Sequence, residues 1–171
     1  MISSKHVPLI AALILLVGGG VFLLDKADKQ ARDTTRKHHL QDIEDSLYFA
    51  RSITGTYPPY NESTWCGFLN DPANSEARSG VEAALRAQNE QYKNEAKPFP
   101  TDPLATQDPS YDYFYWKRSP STFELYAVLE EEKNAERNSL LCPGAPQQYF
   151  DYGIASFERE DKSSKIIDSV L

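Results

Sequence analysis

The chain has 171 residues, 25 acidic against 18 basic, and a formal charge of −7. This length holds one domain with its own core beside any membrane segment, and the acidic balance argues against nucleic acid, whose binders need a basic face. Ten tyrosines and eleven prolines suit an exposed domain with long irregular connections.

After a short tail, residues 1–6, an uncharged run covers 7–24: VPLIAALILLVGGGVFLL. At 1.5 Å per residue it spans roughly 27 Å, close to a hydrocarbon core of about 30 Å. The predicted membrane helix therefore rests on Val7, Pro8, Leu9, Ile10, Leu13, Ile14, Leu15, Leu16, Val17, Val21, Phe22, Leu23 and Leu24. Gly18-Gly19-Gly20 within it would permit close helix approach or local unwinding; the other reading is simple tolerance of small residues in a membrane span. A cleaved signal peptide is the other reading, since Gly18 and Gly20 are small enough to flank a cleavage site, but apolar sequence continues past them.

Polar helix-forming sequence follows at once, and 25–54 is predicted as an amphipathic stalk ended by Gly55. Leu40, Ile43, Leu47 and Ala50 fall on one stripe. Ala27 and Ala31 extend a lightly apolar face toward the membrane segment, and Lys37, Gln41, Glu44, Asp45 and Arg51 lie opposite. The span 55–110 reads as an irregular loop with a second helix near 80–96, its start marked by the capping box Ser79-Gly80-Val81-Glu82 and its stripe by Val81, Ala84, Leu85, Gln88 and Tyr92. Proline-rich turns, Phe99 to Pro103 and Asp108-Pro109, close it.

From 111 to 157 the period changes to two. Tyr111–Arg118 is dense in aromatics, Ser119-Pro120-Ser121 makes a turn, and Thr122–Glu130 alternates Phe123, Leu125, Ala127 and Leu129 against Glu124, Tyr126, Val128 and Glu130. A third strand is expected within Gln148–Phe157, giving an antiparallel sheet of about three strands. Leu40, Ile43 and Leu47 are expected to pack on Phe123, Leu125 and Leu129. Residues 158–171 form a charged tail that Ile166 and Ile167 could tether.

Cys66 and Cys142 are the only cysteines. In an oxidising compartment they are a natural disulfide pair; the other reading is two unrelated buried thiols. Topology is divided. Lys26, Lys29, Arg32, Arg36 and Lys37 outnumber Lys5 and the amino terminus, so a positive-inside count places the domain in the cytoplasm, whereas a disulfide places it outside.

No catalytic constellation is legible. His38 and His39 with Asp42 could share a cation on the stalk, but two ligands on an exposed helix make a poor site. No G-x-S-x-G, HExxH or phosphate loop is present, and Cys142 has no histidine beyond position 39 to activate it. Glu130-Glu131-Glu132 reads as a solvated strand end. The Tyr111/Tyr113/Tyr115 row, with Phe114 and Trp116 opposite, reads as sheet packing.

The chain resembles type IV pilin-like proteins, and within them the type II secretion major-pseudopilin group. Ala31-Arg32-Asp33-Thr34-Thr35-Arg36 followed by Leu40, Ile43 and Leu47 looks like the pilin helix leaving the membrane. Gly55-Thr56-Tyr57-Pro58 resembles the G-x-Y-P that ends that helix. Phe99-Pro100-Thr101-Asp102-Pro103 with Tyr111-Asp112-Tyr113 resembles that group's K-D-P loop feeding an aromatic strand. The resemblance covers about residues 7 to 157. It departs at the N-terminus: pilins have a short leader ending in Gly, then Phe and a Glu at the fifth mature position, and here no acidic residue precedes Asp25.

The resemblance implies a bacterial, non-enzymatic, single-pass protein of the cytoplasmic membrane. Its α+β domain would lie outside the cytoplasm, with other pilin-like subunits or further copies of itself as partners. The departure turns the expectation from a major filament subunit to a minor one; the alternative is a stand-alone anchored binding domain that forms no filament. No cofactor is expected. Calcium, held by some pseudopilin loops, would find Asp102, Asp108 and Asp112 here, without D-x-D-x-D-G spacing.

Overall fold

A computed structural model describes residues 7–72, 75–92, 98–131, 138–140 and 148–156, with side chains described for 23–72, 75–92, 98–131 and 150–156. One helix, α1 (Val7–Thr54), is packed on a four-stranded antiparallel sheet, so the chain is α+β. The remaining elements are β1 (Trp65–Phe68), α2 (Ser75–Gln91), a 3-10 turn (Pro109–Tyr111), β2 (Phe114–Ser119), β3 (Thr122–Ala127), β4 (Asn138–Leu140), β5 (Gln148–Phe150) and β6 (Tyr152–Ala155). The large sheet has the order β1-β2-β3-β6, and β4 pairs with β5 alone.

Helix α1 runs without interruption through Gly18–Gly20. It stops at Gly55, whose φ of +80° is the left-handed conformation that glycine adopts without strain. The Gly55 N–H donates to the Arg51 carbonyl at 2.8 Å, satisfying one of the helix's last carbonyls.

The α1 stripe of Leu40, Ile43 and Leu47 is fully buried, with Phe123 and Leu125 of β3 in the same cluster. Each such side chain contributes roughly 1.5–3 kcal/mol through burial. Tyr57, Leu69, Val81, Tyr113, Tyr115 and Ala127 complete this inner cluster; Leu129 is buried as well, just beyond β3. On the outer face Phe114 packs with Phe150, flanked by Cys66, Phe68, Trp116, Tyr126 and Val128.

Several sequence expectations are corrected. The sheet has four strands, because Trp65–Phe68 pairs with β2 from Trp65↔Lys117 to Phe68↔Phe114. The third predicted strand is two, broken at Asp151, whose N–H donates to the Ala127 carbonyl and whose carboxylate accepts from Leu129 N. Helix α2 begins at Ser75, so Ser79 is no cap. Its hydroxyl donates to the Glu76 carbonyl, and Glu82 accepts from Arg78. Tyr92, expected on the buried stripe, is 61% exposed. Ala27 and Ala31 are also exposed; the buried stripe continues toward the N-terminus through Asp33 and Arg36.

Gly80 lets α2 approach the turn after α1. A Cβ there would lie 2.6 Å from the Cβ of Pro58, a ring atom with little freedom to move. Gly80→Ala is therefore expected to destabilise the domain by about 1–2 kcal/mol, the overpacking cost less alanine's better helix propensity. A higher melting temperature than wild type would contradict this packing.

Candidate functional site

The most organised polar constellation sits where α1 leaves the domain. Asp33 and Arg36 are one turn apart on the stripe that carries Leu40, so packing α1 on the sheet buries both. Arg36 Nε donates to Asp102 Oδ2 at 2.5 Å and Nη2 to Asp102 Oδ1 at 3.2 Å. Its Nη1 donates to Asp33 at 2.7 Å and to Glu130 at 2.8 Å. Its guanidinium also stacks over the Tyr111 ring, 4.8 Å from the centroid. Arg32 forks onto Glu130 with two bonds of 2.7 Å. Asp33 in turn accepts from the backbone N–H groups of Glu130 and Glu131. Three carboxylates from three parts of the chain thus meet one cation. Glu130 is no solvated strand end: its side chain is 9% exposed and holds two arginines.

Burial works against the charge on Arg36, but Asp102, Glu130 and Asp33 more than reverse it and keep it cationic. Such a group cannot shuttle protons at ordinary pH; the cluster is built to hold a helix, a loop and a strand end together. The Arg32 guanidinium, with Arg36, holds the Glu130 carboxyl below its ordinary 4.5 in spite of burial. A lowered folded pKa stabilises in full above about 4.5, and this contribution fades as pH falls through the folded value. Glu130→Gln is expected to cost about 2 kcal/mol at pH 7 and to flatten the acid limb of a stability–pH profile. An unchanged limb would show that Glu130 carries none of it.

A second anchor fixes the turn after α1. Tyr115 donates its O–H to the Pro58 carbonyl at 2.6 Å. The fully buried Lys117 donates to the carbonyls of Pro59 and Glu62. Burial lowers the pKa of this amine. Arg51 reaches across to the Ser121 carbonyl at 3.0 Å.

The predicted candidates are dispersed. His39 Nδ1 lies 2.7 Å from Tyr113 Oη. Burial raises the Tyr113 phenol and lowers the imidazole, so the O–H donates to a neutral ring. Exposed His38 lies beside it on the solvent side. Asp102 holds Arg36, Asp108 caps the 3-10 turn through Ser110 N, and Asp112 accepts from Asn70 and from Tyr113 N. The calcium candidates therefore face separate tasks. Among the described residues no group of three His, Cys, Asp or Glu could hold a metal ion. Of the tyrosine row, Tyr113 and Tyr115 are buried in the inner cluster.

Cys66 is disulfide-bonded; Cys142, the chain's only other cysteine, lies outside the described residues. The tail from Glu158, with Ile166 and Ile167, lies outside them too. Among the residues whose side chains are described, no helix is long and apolar enough to cross a membrane. Of the predicted span only the side chains of Leu23 and Leu24 are described, and they are 67% and 68% exposed.

The cluster of Asp33, Arg36, Asp102 and Glu130 escaped sequence reading as a unit. The available signal was Asp33 and Arg36 continuing the period of Leu40, Ile43 and Leu47, a charged pair on a buried stripe. No family model, curated protein or solved structure matches the chain.

Proposed function

We propose that this chain is a membrane-anchored, pilin-like subunit of a type IV pilus or type II secretion-type pseudopilus, in a minor structural role, that works by assembly. The observation that carries the reading is α1. A single helix joins the uncharged run from Val7 to the domain core. Among the described side chains its buried stripe begins at Asp33, and those of residues 23–28, 30 and 31 are exposed. A helix that leaves its own domain this way has its face free for lipid or for other helices. The helix-on-antiparallel-sheet layout agrees with the resemblance, and a disulfide at Cys66 favours a domain outside the cytoplasm. The arginine–carboxylate cluster then grips the helix at the neck between anchor and domain.

Shearing intact cells tests this reading. The chain is expected among the released filaments together with other pilin-like subunits. Recovery only in the membrane pellet, without such partners, would overturn filament assembly in favour of a stand-alone anchored domain.

A further inference from the structure

We propose that Asn61 is an attachment site for an N-linked glycan, an inference that rests on the domain lying outside the cytoplasm. Asn61-Glu62-Ser63 is the one N-x-S/T triplet in the chain without proline at its centre; none of the other six asparagines has Ser or Thr two residues on. The fold places this triplet where a transferase can reach it. Asn61 and Ser63 are both exposed, in the turn between α1 and β1.

That turn is held from beneath, since Tyr115 and Lys117 bind the carbonyls of Pro58, Pro59 and Glu62. Its backbone is fixed inward while the Asn61 side chain is exposed. Asn70 and Asn89, by contrast, are spent inside the domain: Asn70 bonds Asp112, and Asn89 is 7% exposed. The site lies beyond Thr54, the distal end of α1, roughly 45 Å along the helix from Leu24 at 1.5 Å per residue. There it is clear of both the neck and the membrane.

The chemistry needs a lipid-linked sugar pyrophosphate as donor. The Asn61 Nδ2 forms a bond to the sugar's anomeric carbon, and the bond from that carbon to the pyrophosphate oxygen breaks. The pyrophosphate leaves with the electron pair, and an amide proton passes to a base of the transferase. The attached sugar would lie beside Tyr60, which is 47% exposed, and beside β1, a sheet edge without a charged residue or proline. A bulky polar group there shields an edge open to unwanted pairing.

The test uses the full chain purified from the membranes of the cells that make it. After reduction and alkylation of the disulfide, digestion with trypsin gives one peptide covering residues 52–78, which contains the triplet. Its mass is expected to carry a sugar increment assigned to Asn61 by fragmentation. The increment is expected to vanish in Asn61→Gln and Ser63→Ala and to persist in Ser63→Thr. Melting of each variant, expected within a few degrees of the unglycosylated wild type, checks that the fold is intact. A bare peptide from a domain that added protease cuts in spheroplasts would overturn the modification alone. A bare peptide from a domain protected in spheroplasts would overturn both the modification and the placement it rests on.

Discussion

Arg36→Met is expected to unfold or nearly unfold the domain, with a loss of about 3–5 kcal/mol. The substitution keeps most of the side chain's length and apolar stem. What it removes is the cation, leaving Asp33, Asp102 and Glu130 converging without the guanidinium between them, two of them fully buried beside it. Arg32 still compensates Glu130, but nothing replaces the fork to Asp102. Total stabilities of domains this size are about 5–15 kcal/mol, so the loss is a large fraction. Arg36→Lys is the informative companion. It retains the charge but loses the planar fork, and is expected to fall between wild type and Arg36→Met. Urea titration monitored by tryptophan fluorescence reads both. An Arg36→Met midpoint equal to wild type would mean that the cluster contributes no net stability.

Reduction of the disulfide is the second large effect. A link from Cys66 to Cys142, the one cysteine available to it, closes a loop of most of the domain, worth roughly 4 kcal/mol on the chain-entropy model. Cys66 packs beside Trp116 and the Phe114–Phe150 pair. The strain of losing the link is therefore expected first on the outer face of the sheet. Cys66→Ser, or a reducing agent, should lower the urea midpoint strongly. Hydrogen exchange should rise most in β5 and β6 while α1 stays protected. Equal midpoints with and without reductant would sink this expectation.

The parts of the fold legible in the sequence are those set by local period. The stripe from Leu40 to Ala50 and the alternation from Phe123 to Leu129 name their own buried faces, because helices and strands repeat at fixed intervals. Gly55 also announces its role, since few other residues hold a φ of +80° without cost. What was not legible depends on distant partners. β1 is four residues including Cys66 and Gly67, a weak strand former by composition, and its pairing comes from β2 some fifty positions on. The break at Asp151 follows from bonds to β3 and the segment after it, which no window around residue 151 contains. Asp102 reads as a turn residue between prolines, and it does cap Leu104 N; its grip on Arg36, sixty-six residues away, is tertiary. The run of three glutamates at Glu130 suggests solvent, whereas Arg32 and Arg36 on the facing helix decide its environment.

The continuity of α1 has a mechanical consequence. With no hinge between residues 24 and 50, the domain cannot swing on its support; it can only move with it. Leu24 and Ala50 are separated by roughly 39 Å of helix. If α1 is anchored as proposed, a rotation of its proximal end by about 20°, the average tilt of membrane helices, would carry the sheet sideways by about 13 Å. The helix is a lever arm, and the ionic clamp at Arg36 is the fitting that keeps load on the arm from being lost as slippage in the joint.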